Sequence, residues 1–284
     1  MPATYAHWRF GAECIEMMPK DLQKLVHEHR DIYNLGVHGP DIFFYNLPDK
    51  QLVSFGYNMH NIPFIAFIEF SRRIYNSIKF NDKDEMFVYL LGFLSHYVLD
   101  TTCHSYIERK TEVSKISHAR VESQWERHLM ELDNRVPNFV DRTESLRPNR
   151  KIATTISHFF NFSPRRTYRA LKAMYELVKF ENCVSERKLN LLRKAMAKFG
   201  FMDKYDLLVE FKEDERCKDS NLRLDKLENK ALKMYPKLLK NYIDVLTLKT
   251  KKIDDFFKHP LCQWDDYKKI NVLPYKKELA YKVK

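Results

Sequence analysis

Three side chains able to hold a metal ion recur every four residues in Leu94-Ser-His-Tyr-Val-Leu-Asp-Thr-Thr-Cys-His-Ser-Tyr-Ile107: His96, Asp100 and His104. An α-helix turns about 100° per residue, so each step of four advances about 40° and the three share one face. Residues 86–94 ahead of them are apolar, so the helix reads as buried. Buried charges are costly unless paired or coordinated, and a metal ion satisfies all three groups. Fourteen residues on, His118 and Glu122 repeat the i, i+4 spacing on a helix expected over 117–132. Upstream lie His7, Asp41 in Gly39-Pro-Asp, and His60 in Tyr57-Asn-Met-His-Asn. These eight imidazoles and carboxylates suffice for two or three zinc-like ions with open positions.

Other chemistries find no support. The chain has no Gly-rich phosphate loop, GxSxG, HExxH or CxxC. Cys103 points about 100° away from the His104 face and reads as a packing residue. His27 and His29, two apart, occupy opposite flanks and read as surface residues. His38 reads as a loop histidine or one that supports a ligand, and His128 is turned off the His118 face.

The elements that must position these groups are helices. The apolar periodicity predicts helices over 5–18, 20–31, 62–78, a central one from about 82 to 106–108, 117–132, 151–160, 164–180, 185–199 and 221–251. Pro40 fits the first position of a helix with Asp41 in its first turn, and Asn81 or Asp82 is a sensible cap for the central helix. Residues 46–62, with His60, read as a loop, and Pro236 is expected to kink its helix. No period-2 strand signal and no internal repeat stands out, so the fold class is all-α. The chain divides on this reading into a helical domain over 1–200 carrying the metal site and a helical extension with a basic tail over 201–284.

With 284 residues, 44% of them apolar, the chain can bury a sizeable core. No stretch reaches about eighteen uninterrupted apolar residues. Met-Pro-Ala-Thr-Tyr-Ala-His lacks a basic head and an apolar core, so no secretory signal is expected. Five scattered cysteines fit reduced thiols and a cytoplasmic protein, with peripheral membrane contact an open option. The net charge of +11 is uneven: residues 1–140 carry 15 Lys and Arg against 18 Asp and Glu, residues 141–200 carry 14 against 5. The basic stretch suits an anionic partner or a solvated exterior.

The order His, Asp, His, His-x3-Asp, His, His-x3-Glu resembles the zinc-dependent phospholipase C superfamily, which includes single-strand-specific zinc nucleases. Its bacterial phospholipase C/D-domain branch is most similar, through Ala-Thr-Tyr-Ala-His7-Trp-Arg-Phe-Gly, Gly-Pro-Asp41-Ile-Phe-Phe-Tyr, Gly92-Phe-Leu-Ser-His96-Tyr-Val-Leu-Asp100, and His118 to Glu122. The likeness covers about residues 1–135. It implies a multi-helix domain of that type with additional C-terminal helices, and up to three zinc ions. One would be held by His60, His96 and Asp100, with Asp41 as a further ligand or as general base. A second would be held by His104, His118 and Glu122, and a third by His7 with a bridging Asp100. Secreted members space the motif as His-x3-Asp-x5-His and use an N-terminal tryptophan on the third ion. Here, once the initiator Met is removed, the amine of Pro2, five residues before His7, is the group that could replace it.

The chemistry implied is phosphoester hydrolysis by a zinc-activated water. Three functions compete on this basis. The first is a phospholipase C-like phosphodiesterase on phospholipid head groups. The second is a nuclease or nucleotide phosphoesterase using the basic 141–200 stretch as a backbone track. The third is a non-catalytic, metal-stabilised helical binding module.

Overall fold

In the computed structural model, which describes residues 4–78, 83–182, 185–198, 206–262 and 266–283, the chain is all-α, with no strand among the described residues. The first half forms α1 (Thr4–Glu16), α2 (Lys20–Glu28), α3 (Arg30–Gly36), a 3-10 turn (Gly39–Phe43), α4 (Lys50–Asn61) and α5 (Phe64–Ser77). Then follow α6 (Lys83–Ser114), α7 (His118–Leu132), α8 (Arg150–Ser157), α9 (Pro164–Glu181), α10 (Glu186–Lys198), α11 (Lys218–Leu246) and α12 (Tyr275–Ala280).

Helix α6 is the axis. It is 32 residues long, and every residue from 86 to 101 is buried. A helix apolar on all sides needs neighbours on all sides, and α1, α3, α7 and α11 pack around it. By length and hydropathy it passes the test for a membrane span, yet 94% of its most apolar window lies inside the protein. Its apolarity therefore belongs to the core. The crossing with α3 is close because both helices present glycine there. A Cβ on Gly36 would come within 2.5 Å of the Tyr89 carbonyl, and one on Gly92 would strike the Tyr33 carbonyl. This crossing sets the 3-10 turn, which follows α3, directly against α6.

One apolar core runs from Tyr5 to Leu261 and draws on both halves of the chain. Its densest part is aromatic. The Phe64 and Tyr97 rings stack at 3.9 Å with planes 10° apart, and Phe67, Phe93, Tyr242 and Phe257 surround them. Each such side chain, fully buried, contributes about 1.5–3 kcal/mol of transfer free energy. Phe93 and Tyr97 belong to α6 itself, so the stack ties the helix that carries His96 and Asp100 to Phe64 and Phe67 of α5.

Several sequence expectations are corrected. The expected loop over 46–62 is mostly α4, so His60 projects from a helix. Asp49 caps it, accepting the Leu52 N–H at 3.2 Å. The run Val53-Ser-Phe-Gly-Tyr-Asn is poor in strong helix formers, and tertiary packing of Leu52, Gly56 and Met59 overrides that. The single helix expected over 20–31 is two, broken at His29 (φ −119°, ψ 36°). The central helix continues past residue 108 to Ser114. Helix α11 covers Lys218–Leu246 where 221–251 was expected, and it contains Pro236, which is exposed. Residues 256–262, without period in the sequence, pack on the body, with Phe257 and Leu261 buried. The Pro2 amine and the Asn81 or Asp82 cap lie outside the described residues.

Candidate metal centre

Five elements converge on one buried point. Helix α6 supplies His96, Asp100 and His104; α7 supplies His118 and Glu122; α4 supplies His60; the 3-10 turn supplies Asp41; α1 supplies His7. Local sequence explains each placement. Ser117 caps α7 by accepting the Arg120 N–H at 3.1 Å, which starts the helix at His118. Buried Glu126, two turns along α7 from His118, accepts the Tyr5 N–H and so fixes the first turn of α1, where His7 sits. Gly39 adopts φ +48°, a region that favours glycine, and a Cβ there would run into the His96 ring. Asp41 can approach His96 only because residue 39 has no side chain.

Asp100 is the centre of the cluster. Its Oδ1 lies 3.1 Å from His7 Nε2 and 3.7 Å from His104 Nε2, and its Oδ2 lies 3.2 Å from His96 Nε2 and 3.8 Å from His60 Nε2. To one side, His60 Nε2 is 2.9 Å from Asp41 Oδ1. To the other, Glu122 Oε1 is 3.2 Å from His104 Nε2 and 3.0 Å from His118 Nε2. Three sets of side chains each bring their ligand atoms within 4.8 Å of one another: His7, His96 and Asp100; Asp41, His60 and His96; His104, His118 and Glu122. All eight residues singled out in the sequence are thus brought together.

Two observations test whether a metal fits. Zinc–ligand bonds of about 2.0–2.1 Å in a tetrahedron place neighbouring ligand atoms about 3.3 Å apart, and the 2.9–3.2 Å separations above are close to that edge. Moreover, His60 Nε2, Asp41 Oδ1, His96 Nε2 and Asp100 Oδ2 are buried without a hydrogen-bond partner, although they approach one another this closely. Buried polar atoms are normally hydrogen-bonded. Atoms that close in on each other out of line for a hydrogen bond direct their lone pairs at a common point between them, and a cation satisfies that arrangement. The donor set is nitrogen and carboxylate oxygen, as zinc accepts.

Ring orientation is set from behind. His60 Nδ1 lies 2.7 Å from the Gly56 carbonyl, His104 Nδ1 lies 3.1 Å from the Leu261 carbonyl, and His118 Nδ1 lies 2.7 Å from Glu108 Oε1. An oxygen acceptor at Nδ1 holds the proton there and leaves Nε2 as a lone pair, the usual support of a metal-ligating histidine.

Electrostatics agree with this division. Burial alone would raise the Asp100 pKa, but the His104, His96 and His7 rings hold it well below the usual carboxylate range. For His118 burial works downward, yet Glu122 and Glu108 carry it up to about 9. His38, buried behind the cluster with Nε2 3.4 Å from Ser145 Oγ, is pushed down to about 3 by burial and stays neutral.

A cavity of about 400 Å³ opens onto one side of the cluster. His60, His104, His118 and Glu122 form its polar floor, and Phe44, Tyr57 and Leu207 are among its apolar walls. Asp41 and Asp100 are not on its surface. Sequence reasoning missed Glu108, Leu261 and Cys262. Glu108 had a signal, for it extends the four-residue recurrence His96, Asp100, His104 by one more step. Cys103 is a packing residue: it is 2% exposed, and burial pushes its thiol pKa well above the ordinary value. His128 bonds Asp225 at 2.8 Å, away from the cluster.

Residues 6–175, more than half of the chain, match the family model described as zinc dependent phospholipase C. The chain belongs to this family. No curated protein and no solved structure matches it. As a member of the zinc-dependent phospholipase C family with three metal-competent side-chain sets, the protein is a metal-dependent hydrolase. All eight ligand candidates fall inside the matched residues, whereas α10, α11, α12 and the 256–262 segment lie beyond them.

Proposed function

We propose that this zinc-dependent phospholipase C family member hydrolyses the phosphodiester bond of phospholipid head groups, using His7, Asp41, His60, His96, Asp100, His104, His118 and Glu122 to hold two or three zinc ions. The observation that carries the reading is the buried Asp100 carboxylate with four imidazole Nε2 atoms within 3.8 Å. Asp41, His60 and His96 would hold one ion, His104, His118 and Glu122 a second, and His7, His96 and Asp100 a third.

Bound zinc supplies a water acidified toward neutral pH and positive charge for the phosphate oxygens. The protein does the rest. The Nδ1 acceptors keep His60, His104 and His118 in one tautomer, so their lone pairs are in place before substrate arrives. Asp41, only 1% exposed and 2.9 Å from His60 Nε2, serves as a ligand, since it does not reach the cavity wall. The apolar walls from Phe44, Tyr57 and Leu207 suit the glycerol end of a lipid and exclude bulk water. Among the described residues that line the cavity none is Lys or Arg, while Phe44, Tyr57 and Leu207 are apolar or aromatic, which favours a lipid over a nucleic-acid backbone.

The test is release of phosphorylated head group from phospholipid vesicles, run beside single-stranded DNA and a nucleotide diester. Chelator-sensitive head-group release with at least a hundredfold preference over the nucleic acid substrates supports the proposal. Preferential cleavage of DNA would replace it with the nuclease reading, and bound zinc with no turnover on any diester would replace it with the binding module.

A further inference from the structure

Three of the histidines have their Nδ1 atoms held by an acceptor, and the acceptor for His104 comes from far away in the chain. The Leu261 carbonyl lies 3.1 Å from His104 Nδ1. The next residue, Cys262, donates its N–H to the His60 carbonyl at 3.1 Å, at the last turn of α4, and its side chain lines the cavity over the cluster. One short stretch of backbone thus touches two candidate ligand residues from two different helices.

The stretch is itself clamped to α6 and α5. Tyr97, one residue after His96, donates its hydroxyl to the Phe256 carbonyl at 2.6 Å and lies 3.0 Å from that of His259. The Phe64 N–H, at the start of α5, donates to the His259 carbonyl at 3.2 Å. Phe257 and Leu261 are buried in the main core. This accounts for a segment that shows no periodicity: it bonds through backbone carbonyls and N–H groups, which carry no residue-type signature.

We propose that residues 256–262 form a strap that completes the metal centre, a positioning element that fixes the His104 tautomer, ties off the His60 helix and walls the substrate cavity. The strap lies some eighty residues past the end of the family-matched segment at 175, so the metal centre of this chain depends on a part that the family match does not contain. The inference rests on the proposed zinc site, because positioning His104 matters only if its Nε2 binds a metal. Metal affinity is then coupled to docking of the C-terminal segment, with Tyr97 as the clamp on α6.

The experiment uses the full-length protein, metal-free and zinc-titrated, as wild type and as Tyr97→Phe. Nitrogen-15 NMR of the metal-free wild type reports the His104 tautomer, and competition with a chromogenic chelator reports zinc affinity. The strap predicts a slowly exchanging Nδ1–H on His104 in the wild type, and in Tyr97→Phe both a weakened Nδ1–H signal and about tenfold weaker zinc binding, the lower end of losses on removing a ligand's support. A Tyr97→Phe protein that melts earlier but binds zinc as the wild type does would overturn the inference, reducing Tyr97 to a packing residue. If the variant does not fold, the wild-type spectrum decides alone: a His104 with no proton at Nδ1, or with one that exchanges freely, overturns the strap. A wild type with the expected tautomer and no zinc affinity leaves the strap's geometry intact and instead removes the zinc function on which it rests.

Discussion

Asp100 Oδ2 lies 3.2 Å from His96 Nε2, one helical turn earlier on α6, and both atoms are buried without a hydrogen-bond partner. A pair that close and that well buried would ordinarily share a proton in line. His60 Nε2 lies 3.8 Å from the same Oδ2 and His7 Nε2 lies 3.1 Å from Oδ1, which gives Asp100 its bridging place in the proposed centre.

Replacing Asp100 with Asn keeps the shape and removes the charge. We expect at least one zinc equivalent to be lost and turnover to fall by about a hundredfold or more, because the remaining imidazoles are then gathered around a neutral amide. Elemental analysis and initial rates on the purified variant measure both. Less than a tenfold loss of activity in His96→Ala would count equally against the assignment.

Glu108 supports His118 without being a candidate ligand. In Glu108→Gln the amide oxygen can still accept from Nδ1, but the negative charge that makes the ring more basic is gone. The expected result is roughly tenfold weaker zinc binding at the His104, His118 and Glu122 set, with activity restored by excess zinc. Unchanged affinity would show that the 2.7 Å contact does nothing for the metal.

The His118 pKa of about 9 carries a sign that can be checked. Being raised above the ordinary histidine value of about 6.5, it adds stability to the metal-free protein fully below that value, and this stability is lost as pH rises through about 9. Zinc must displace the same proton. Near pH 7.5 zinc loading should therefore release about one proton from this set, and its apparent affinity should weaken by about tenfold per unit of acidification between pH 9 and 7. A pH-indicator titration in weak buffer reads the release directly.

Gly39→Ala should damage the site without touching a ligand. It places a Cβ at φ +48° and against the His96 ring, so a cost of about 1–3 kcal/mol is expected, together with reduced zinc content. Denaturant unfolding and metal analysis test the two parts separately.

Much of this centre was legible because ligand chemistry and helical period coincide. His96, Asp100 and His104 fall every four residues on an uninterrupted apolar run, and His118 with Glu122 repeat the step behind a serine cap. Glu108 continues the same period, but the recurrence alone does not tell a group that supports a ligand from the ligands themselves. His60 was assigned to a loop because α4 is built from residues of modest helix propensity that tertiary packing alone makes helical. The convergence of five elements is a long-range property: nothing local says that the turn after α3 meets α6, although the paired Gly36 and Gly92 are its physical cause. The strap was illegible for a different reason, since its contribution to the site comes from peptide groups.

The central claim is that one cluster both holds zinc and hydrolyses phosphodiesters. Metal content of the purified protein by elemental analysis, together with turnover of a chromogenic phosphodiester before and after chelation, tests it most directly. Two or three equivalents of zinc are expected, with hydrolysis abolished by chelator and restored by added zinc. A protein that carries no zinc, or hydrolyses equally well without it, would contradict the claim.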